Sequence, residues 1–161
     1  MKHIISTLVE NKAGVLAHVA QMFAARAFNI DSLAVGRTED EKLSRMTIVV
    51  LGDDKIVEQV RKQLAKIVNV VKVQDFVGKL VVARDLMLIT ISVSAEKRPE
   101  VVTMVEMFNG KVVDIGPKFL MIEISGPEEK IEAFIEVCRP YGIKSLVRTG
   151  TIAMERHSKP I

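Results

Sequence analysis

The residue types that could do chemistry in this chain gather at one turn, Asn11-Lys12-Ala13-Gly14, directly ahead of a helical pattern that starts at Val15. The start of a helix leaves free N–H groups and a partial positive charge, which suits a carboxylate. Gly14 has no Cβ, so backbone donors beside it can be approached closely. Asn11 offers both a donor and an acceptor, matching an amino acid that carries an ammonium and a carboxylate. Asn29 lies at the other end of the same helix, where a strand begins, and would complete such a site across a dimer. Ordinary turn chemistry competes with this reading, because Asn and Gly are frequent in turns for local reasons. Spacing alone leaves both readings open.

Catalysis requires converging acid, base, nucleophile or metal ligands. His3, His18 and His157 fall at a strand start, on a helix and in a polar tail, and none has a second ligand at metal-binding spacing. Cys138 falls on the apolar side of its helix and reads as a small core residue. No Gly-rich phosphate loop and no G-x-S-x-G elbow is present. The sequence therefore predicts no catalytic residue and no metal site.

The elements that must position the turn form a repeated unit. His3–Glu10 reads as a strand. Leu16, Val19, Ala20, Phe23 and Ala27 then recur at helical steps, and Leu33 and Val35 share one face of a strand over 30–38. The charged turn 39–42 leads into a third strand from Ser44 to Leu51. Gly52-Asp53-Asp54 opens a helix with Val57, Val60, Leu64 and Ile67 inward, ended by Asn69, and Val70–Phe76 is a fourth strand.

The order βαββαβ then recurs: a strand over 84–94, a helix opened by Pro99 and capped by Gly110, and a hairpin about Gly116-Pro117. A helix with Ile131, Phe134, Ile135 and Cys138 inward follows, then a closing strand over 143–154. The expected fold is thus α+β: two tandem ferredoxin-like βαββαβ units, each a four-stranded antiparallel sheet with its helices on one face. The predicted domains are 1–77 and 84–161, joined near Val77–Ala83. The second strand of each unit is an edge, and Ile30, Leu33 and Val35 on the first such edge invite pairing with another copy of the chain.

Composition excludes several functions. Basic and acidic residues number 23 and 20 and are interspersed, so the net charge of +3 gives no basic footprint for nucleic acid. An RNA-binding domain of the same order would carry aromatic residues on its first and third strands, and Ile4–Val9 and Ser44–Val50 have none. A metal chaperone of this plan would want paired cysteines, yet Cys138 is alone, which also fits a reducing compartment. No apolar run approaches a membrane span or a secretory leader, so a cytoplasmic protein is expected.

The stretch Leu8-Val9-Glu10-Asn11-Lys12-Ala13-Gly14-Val15-Leu16, with Phe23, Arg26, Asn29-Ile30-Asp31-Ser32-Leu33-Ala34-Val35, Ser44-Arg45-Met46-Thr47-Ile48 and Val70-Val71-Lys72-Val73, resembles the ACT domain of acetolactate synthase (acetohydroxyacid synthase) small subunits. Arg84-Asp85-Leu86-Met87-Leu88-Ile89 and the rest of the second unit resemble that family's C-terminal domain.

The resemblance implies a subunit with no activity of its own. It would bind and activate a catalytic large subunit and make it sensitive to feedback inhibition by valine. Thiamine diphosphate, Mg²⁺ and FAD would belong to that large subunit, which condenses pyruvate with pyruvate or 2-oxobutyrate. By the family's motif the effector residues are Asn11, Gly14 and Asn29, lined by Ala13, Val15, Leu16 and Ile30, between two ACT domains of a homodimer. The alternative is a stand-alone ACT-type amino-acid-binding regulator of another enzyme or of transcription.

Two positions depart from the family's pattern. His18 stands where many members carry Arg, and Ala27 where Gly is usual. The second unit runs through Ala95-Glu96-Lys97-Arg98-Pro99 with neither Asn nor Gly before its helix, so only the first repeat is expected to sense a ligand.

Overall fold

The computed structural model describes residues 1–158. Its elements are β1 (Lys2–Glu10), α1 (Val15–Ala25), β2 (Ile30–Arg37), β3 (Leu43–Leu51), α2 (Asp54–Leu64), β4 (Val70–Asp75), β5 (Val81–Ser92), α3 (Arg98–Met107), β6 (Lys111–Gly116), β7 (Phe119–Gly126), α4 (Glu128–Cys138), β8 (Ile143–Arg148) and β9 (Ile152–Glu155). This is the tandem βαββαβ order expected, plus one extra strand. No described helix is long and apolar enough to cross a membrane.

In the first unit the strand order is β2-β3-β1-β4, with β1 and β3 central and antiparallel and β2 at an edge. Period-two alternation sets which side chains meet. Ile5 lies opposite Ile48 and Thr7 opposite Met46, so these residues share the face on which the helices pack. Val15, Val19, Met22 and Phe23 of α1 and Val57, Val60 and Leu64 of α2 close the core against them. Each large apolar side chain so buried contributes roughly 1.5–3 kcal/mol.

The buried stripe of α1 differs from the one expected. Leu16, Ala20 and Ala27 are exposed, and Val15 and Met22 take their places. The 15/19/22/23 set turns a branched or long side chain inward at every step, leaving the small alanines to solvent.

Local rules end the helices. Asp53 caps α2, its carboxylate accepting the Ile56 N–H at 2.9 Å, and α2 stops at Leu64, before the expected Asn69. At the end of α1 the Ala27 and Phe28 N–H groups donate to the Ala24 and Phe23 carbonyls, which is the Schellman arrangement. Ala27 takes the left-handed conformation this requires, with φ 52°, and Phe28 returns edge-on to Phe23 at 6.1 Å between ring centroids.

In the second unit the order is β6-β7-β5-β8, again antiparallel with an edge at β6. Met87, Ile89 and Ile91 of β5 pack with Val101 and Val105 of α3 and with Ile131, Phe134 and Cys138 of α4. Gly110 was expected to cap α3, but the left-handed residue is Asn109, with φ 53°. Gly110 instead stands where a Cβ would meet the Glu123 carbonyl at 3.2 Å and Val105 at 3.1 Å, so close approach rather than a positive φ demands glycine.

The closing strand expected over 143–154 is two strands. Gly150, with φ 83°, breaks the chain between β8 and β9. Thr149 stays with the second unit, its N–H donating to the Leu86 carbonyl at 2.9 Å. Residues 151–158 group with Met1–Val82, and the second compact unit is Ala83–Gly150. Strand β9 pairs with β5, whose first residues belong to the first unit, and the Arg156 N–H donates to the Leu80 carbonyl at 2.8 Å.

Candidate functional site

The turn ahead of α1 is built by two strand ends and one glycine. At the end of β1 the Asn11 backbone N–H donates to the Lys42 carbonyl at 2.7 Å. The Asn11 side-chain amide donates to the Glu41 carbonyl at 2.9 Å. Asn11 thereby ties the turn to the β2–β3 hairpin. One of its two amide hydrogens is thereby engaged, which leaves the amide oxygen and the second N–H to meet a ligand.

Glu10 secures the other side, accepting from the Asn69 amide at 2.6 Å and pairing with Lys12 at 3.0 Å. These two contacts hold the Glu10 carboxyl below its ordinary value. Gly14 is the N-cap of α1, in the left-handed region at φ 84°, and no side chain caps the helix. A Cβ on Gly14 would meet no atom within 4 Å. The Val15 N–H turns back to the Lys12 carbonyl at 3.4 Å, which leaves the next N–H groups of the first turn, with the positive end of the helix dipole, for carboxylate capture.

The sequence-derived candidates separate into two groups. Asn11, Ala13, Gly14 and Leu16 are exposed around the start of α1, whereas the Val15 side chain is buried in the core and presents only its backbone there. Asn29 and Ile30 lie at the far end of the helix, Asn29 exposed and Ile30 packed partly into the core. The helix has 11 residues, and at about 1.5 Å per residue its ends stand roughly 16 Å apart. One free amino acid cannot touch both ends within one chain. His18 is exposed on α1.

Two polar features escaped the sequence reading. Asp85 is 2% exposed. It accepts from Arg148 Nε at 2.8 Å and from the Thr149 hydroxyl at 3.0 Å, and Arg148 also reaches Glu132 at 2.7 Å. With its oxygens committed in this way, Asp85 clasps the end of β8. The second feature is Ser32 on β2, which accepts the Thr151 N–H at 2.9 Å. A signal for both existed in Thr149-Gly150-Thr151, since a glycine inside a strand pattern marks a bulge or break.

The second repeat does not reproduce the open helix start. A 3-10 turn, Ala95–Lys97, runs into α3, the N-cap Lys97 is right-handed, and Pro99 occupies the first turn. Arg98 donates to the Gly116 carbonyl there. Among the described residues no group of three His, Cys, Asp or Glu side chains could hold a metal ion. Burial pushes the Cys138 thiol up to about 12, so it stays protonated and inert in the core.

Two βαββαβ units, of which only the first has a left-handed glycine as the N-cap of its first helix, define a protein with one ACT unit followed by a second ferredoxin-like unit. Comparison with known proteins gives the particular family. Residues 5–72 match the family described as "AHAS small subunit-like ACT domain", and residues 84–157 match "Small subunit of acetolactate synthase". The chain is 52% identical to the probable acetolactate synthase small subunit of Archaeoglobus fulgidus, over 99% of each chain. It is 46% identical to the acetolactate synthase small subunit of Aquifex aeolicus, over 96% of this chain and 81% of that one. The crystal structure of the acetolactate synthase small subunit from Thermotoga maritima superposes with a TM-score of 0.92 at 41% identity, over 99% of both chains. The chain belongs to the acetolactate synthase small-subunit family.

Proposed function

We propose that this chain is a non-catalytic regulatory subunit of branched-chain amino acid biosynthesis. It binds and activates the catalytic acetolactate synthase large subunit and makes it sensitive to feedback inhibition by valine. Thiamine diphosphate, Mg²⁺ and FAD belong to that large subunit. Family membership over the whole chain supports the pairing with a large subunit, and the uncapped helix start at Gly14 beside Asn11 carries the effector site.

The effector lies between two copies of the first unit. Its carboxylate meets the first-turn N–H groups of α1 and its ammonium the Asn11 amide oxygen. Asn29 comes from the partner copy, which the separation of the two ends of α1 requires. The exposed edge β2 supplies the surface for that pairing. Valine occupancy then changes the orientation or rigidity of the pair, a coupling of about 1–3 kcal/mol that must act reciprocally on large-subunit binding.

Calorimetric titration with valine, leucine and isoleucine, with and without the large subunit, tests this reading. Valine binding together with activation of the large subunit is expected. Asn11→Ala should weaken valine binding by about 1–3 kcal/mol while leaving activation intact. An unchanged inhibition constant in Asn11→Ala would remove the turn as the site, and binding without activation would point to a stand-alone sensor.

A further inference from the structure

The first unit is completed by residues from the far end of the chain. The Thr151 N–H donates to Ser32 on the edge strand β2, while the Glu155 carboxylate accepts from Gln74 at 2.7 Å and pairs with Lys79 at 3.1 Å. Ser32 lies opposite Val49 of β3, and Gln74 lies opposite Ser6 of β1. Both are therefore on the sheet face away from the helices. In the order β2-β3-β1-β4, β9 thus crosses from one edge of the sheet to the other. The dimensions agree: four steps of extended chain cover about 13 Å, and three inter-strand spacings about 14 Å. Ala153, midway, is buried, as are Ser6, Thr47 and Val49 on the outer face of the two central strands.

What the strap holds is an irregular place in the sheet. The pairing of β2 with β3 shifts register between Ile30 and Ser32, so Asp31 sits in a bulge. A bulge re-aims the side chains beside it and weakens the local ladder. Here those neighbours are Asn29 and Ile30, at the start of the strand. Two contacts fix the bulge: Lys2 pairs with Asp31 at 2.9 Å, and Thr151 holds Ser32 from the outer face.

We propose that Ser32 and Thr151 are positioning residues for effector binding: the strap Thr151–Glu155 pins the bulged start of β2 so that Asn29 and Ile30 are presented in ligand-binding geometry. The far end of the chain is thereby part of the sensing unit. This inference rests on the proposed function, in which Asn29 contacts the effector.

The test uses the intact chain and three variants: Ser32→Ala, Ser32→Thr, and a chain ending at Gly150. Valine affinity is read by calorimetry, folding by thermal melting, and the start of β2 by hydrogen exchange of residues 30–33. Ser32→Ala should weaken valine binding about five- to tenfold, the scale of one neutral hydrogen bond, in a chain that still melts cooperatively. Exchange over residues 30–33 should quicken in that variant. Ser32→Thr keeps the accepting oxygen and should restore binding to within about twofold. The shortened chain should lose at least as much affinity as Ser32→Ala.

If the wild type binds valine and Ser32→Ala binds it equally well, the positioning role is overturned, whatever the shortened chain does. Weakening by Ser32→Ala with no rescue by Ser32→Thr also overturns it, since the accepting oxygen would then not be the cause. A wild type that binds none of valine, leucine and isoleucine overturns the proposed function first, and the positioning role with it.

Discussion

Ala27 holds a left-handed backbone at φ 52°, and nothing in its exposed side chain compensates. A Cβ in that region costs about 1–2 kcal/mol, partly offset because glycine loses more freedom on folding. Ala27→Gly should therefore stabilise the first unit by about 0.5–1 kcal/mol, seen as a rise in the thermal midpoint. An unchanged or lower midpoint would mean that the Schellman turn relaxes the strain. Asn109 meets the same demand at the end of α3 with φ 53°, and Asn tolerates that region better than Ala does. The sequence raised the question at Ala27, and only the backbone angle answers it.

Among the elements, β1 and the turn after it depend on the Glu10 carboxylate. Asn69 and Lys12 hold it below its ordinary 4.5. A carboxyl depressed in the folded state binds fewer protons there than in the unfolded chain. Its contribution is fully present above about pH 4.5 and is lost as pH falls through the folded value, so it survives mild acid. Titration followed by NMR should give Glu10 a midpoint below 4.5, and Glu10→Gln should lose that part of the acid dependence of stability. A Glu10 midpoint at or above 4.5 would show that the Asn69 contact does not persist in solution. Element boundaries followed the same logic: caps such as Asp53 were legible, whereas the phase of α1 was not. Periodicity cannot choose between stripes one residue apart when both share Val19 and Phe23.

For the whole molecule, the separation of Gly14 and Asn29 by the length of α1 makes a second copy necessary to the proposed site. Sedimentation of the intact chain should give a dimer. Val35→Lys, which places a charge on the exposed edge β2, should shift it toward monomer and weaken valine binding in parallel. Loss of the dimer with valine affinity intact would return both halves of the site to one chain. The division of the chain also bears on how the sensing unit can be isolated. A fragment ending at Val82 omits β9 and uncovers the outer face of the first sheet, so binding measured on it would not represent the intact unit.

The sequence by itself determined what depends on neighbours along the chain. Alternation and helical spacing specified two βαββαβ units, and the turn chemistry of Asn11-Lys12-Ala13-Gly14 marked one helix start as open. The motifs in both halves tied the chain to its family. Tertiary structure alone decided what depends on partners distant in sequence. It engaged one Asn11 donor with Glu41, thirty residues away, turned Val15 into the core, and buried Asp85 against Arg148. It also returned Thr151 across the first sheet to Ser32. The physical reason lies in the range of the interactions. Propensity and periodicity act within a few residues, whereas a hydrogen bond over 119 positions forms only after the chain has folded.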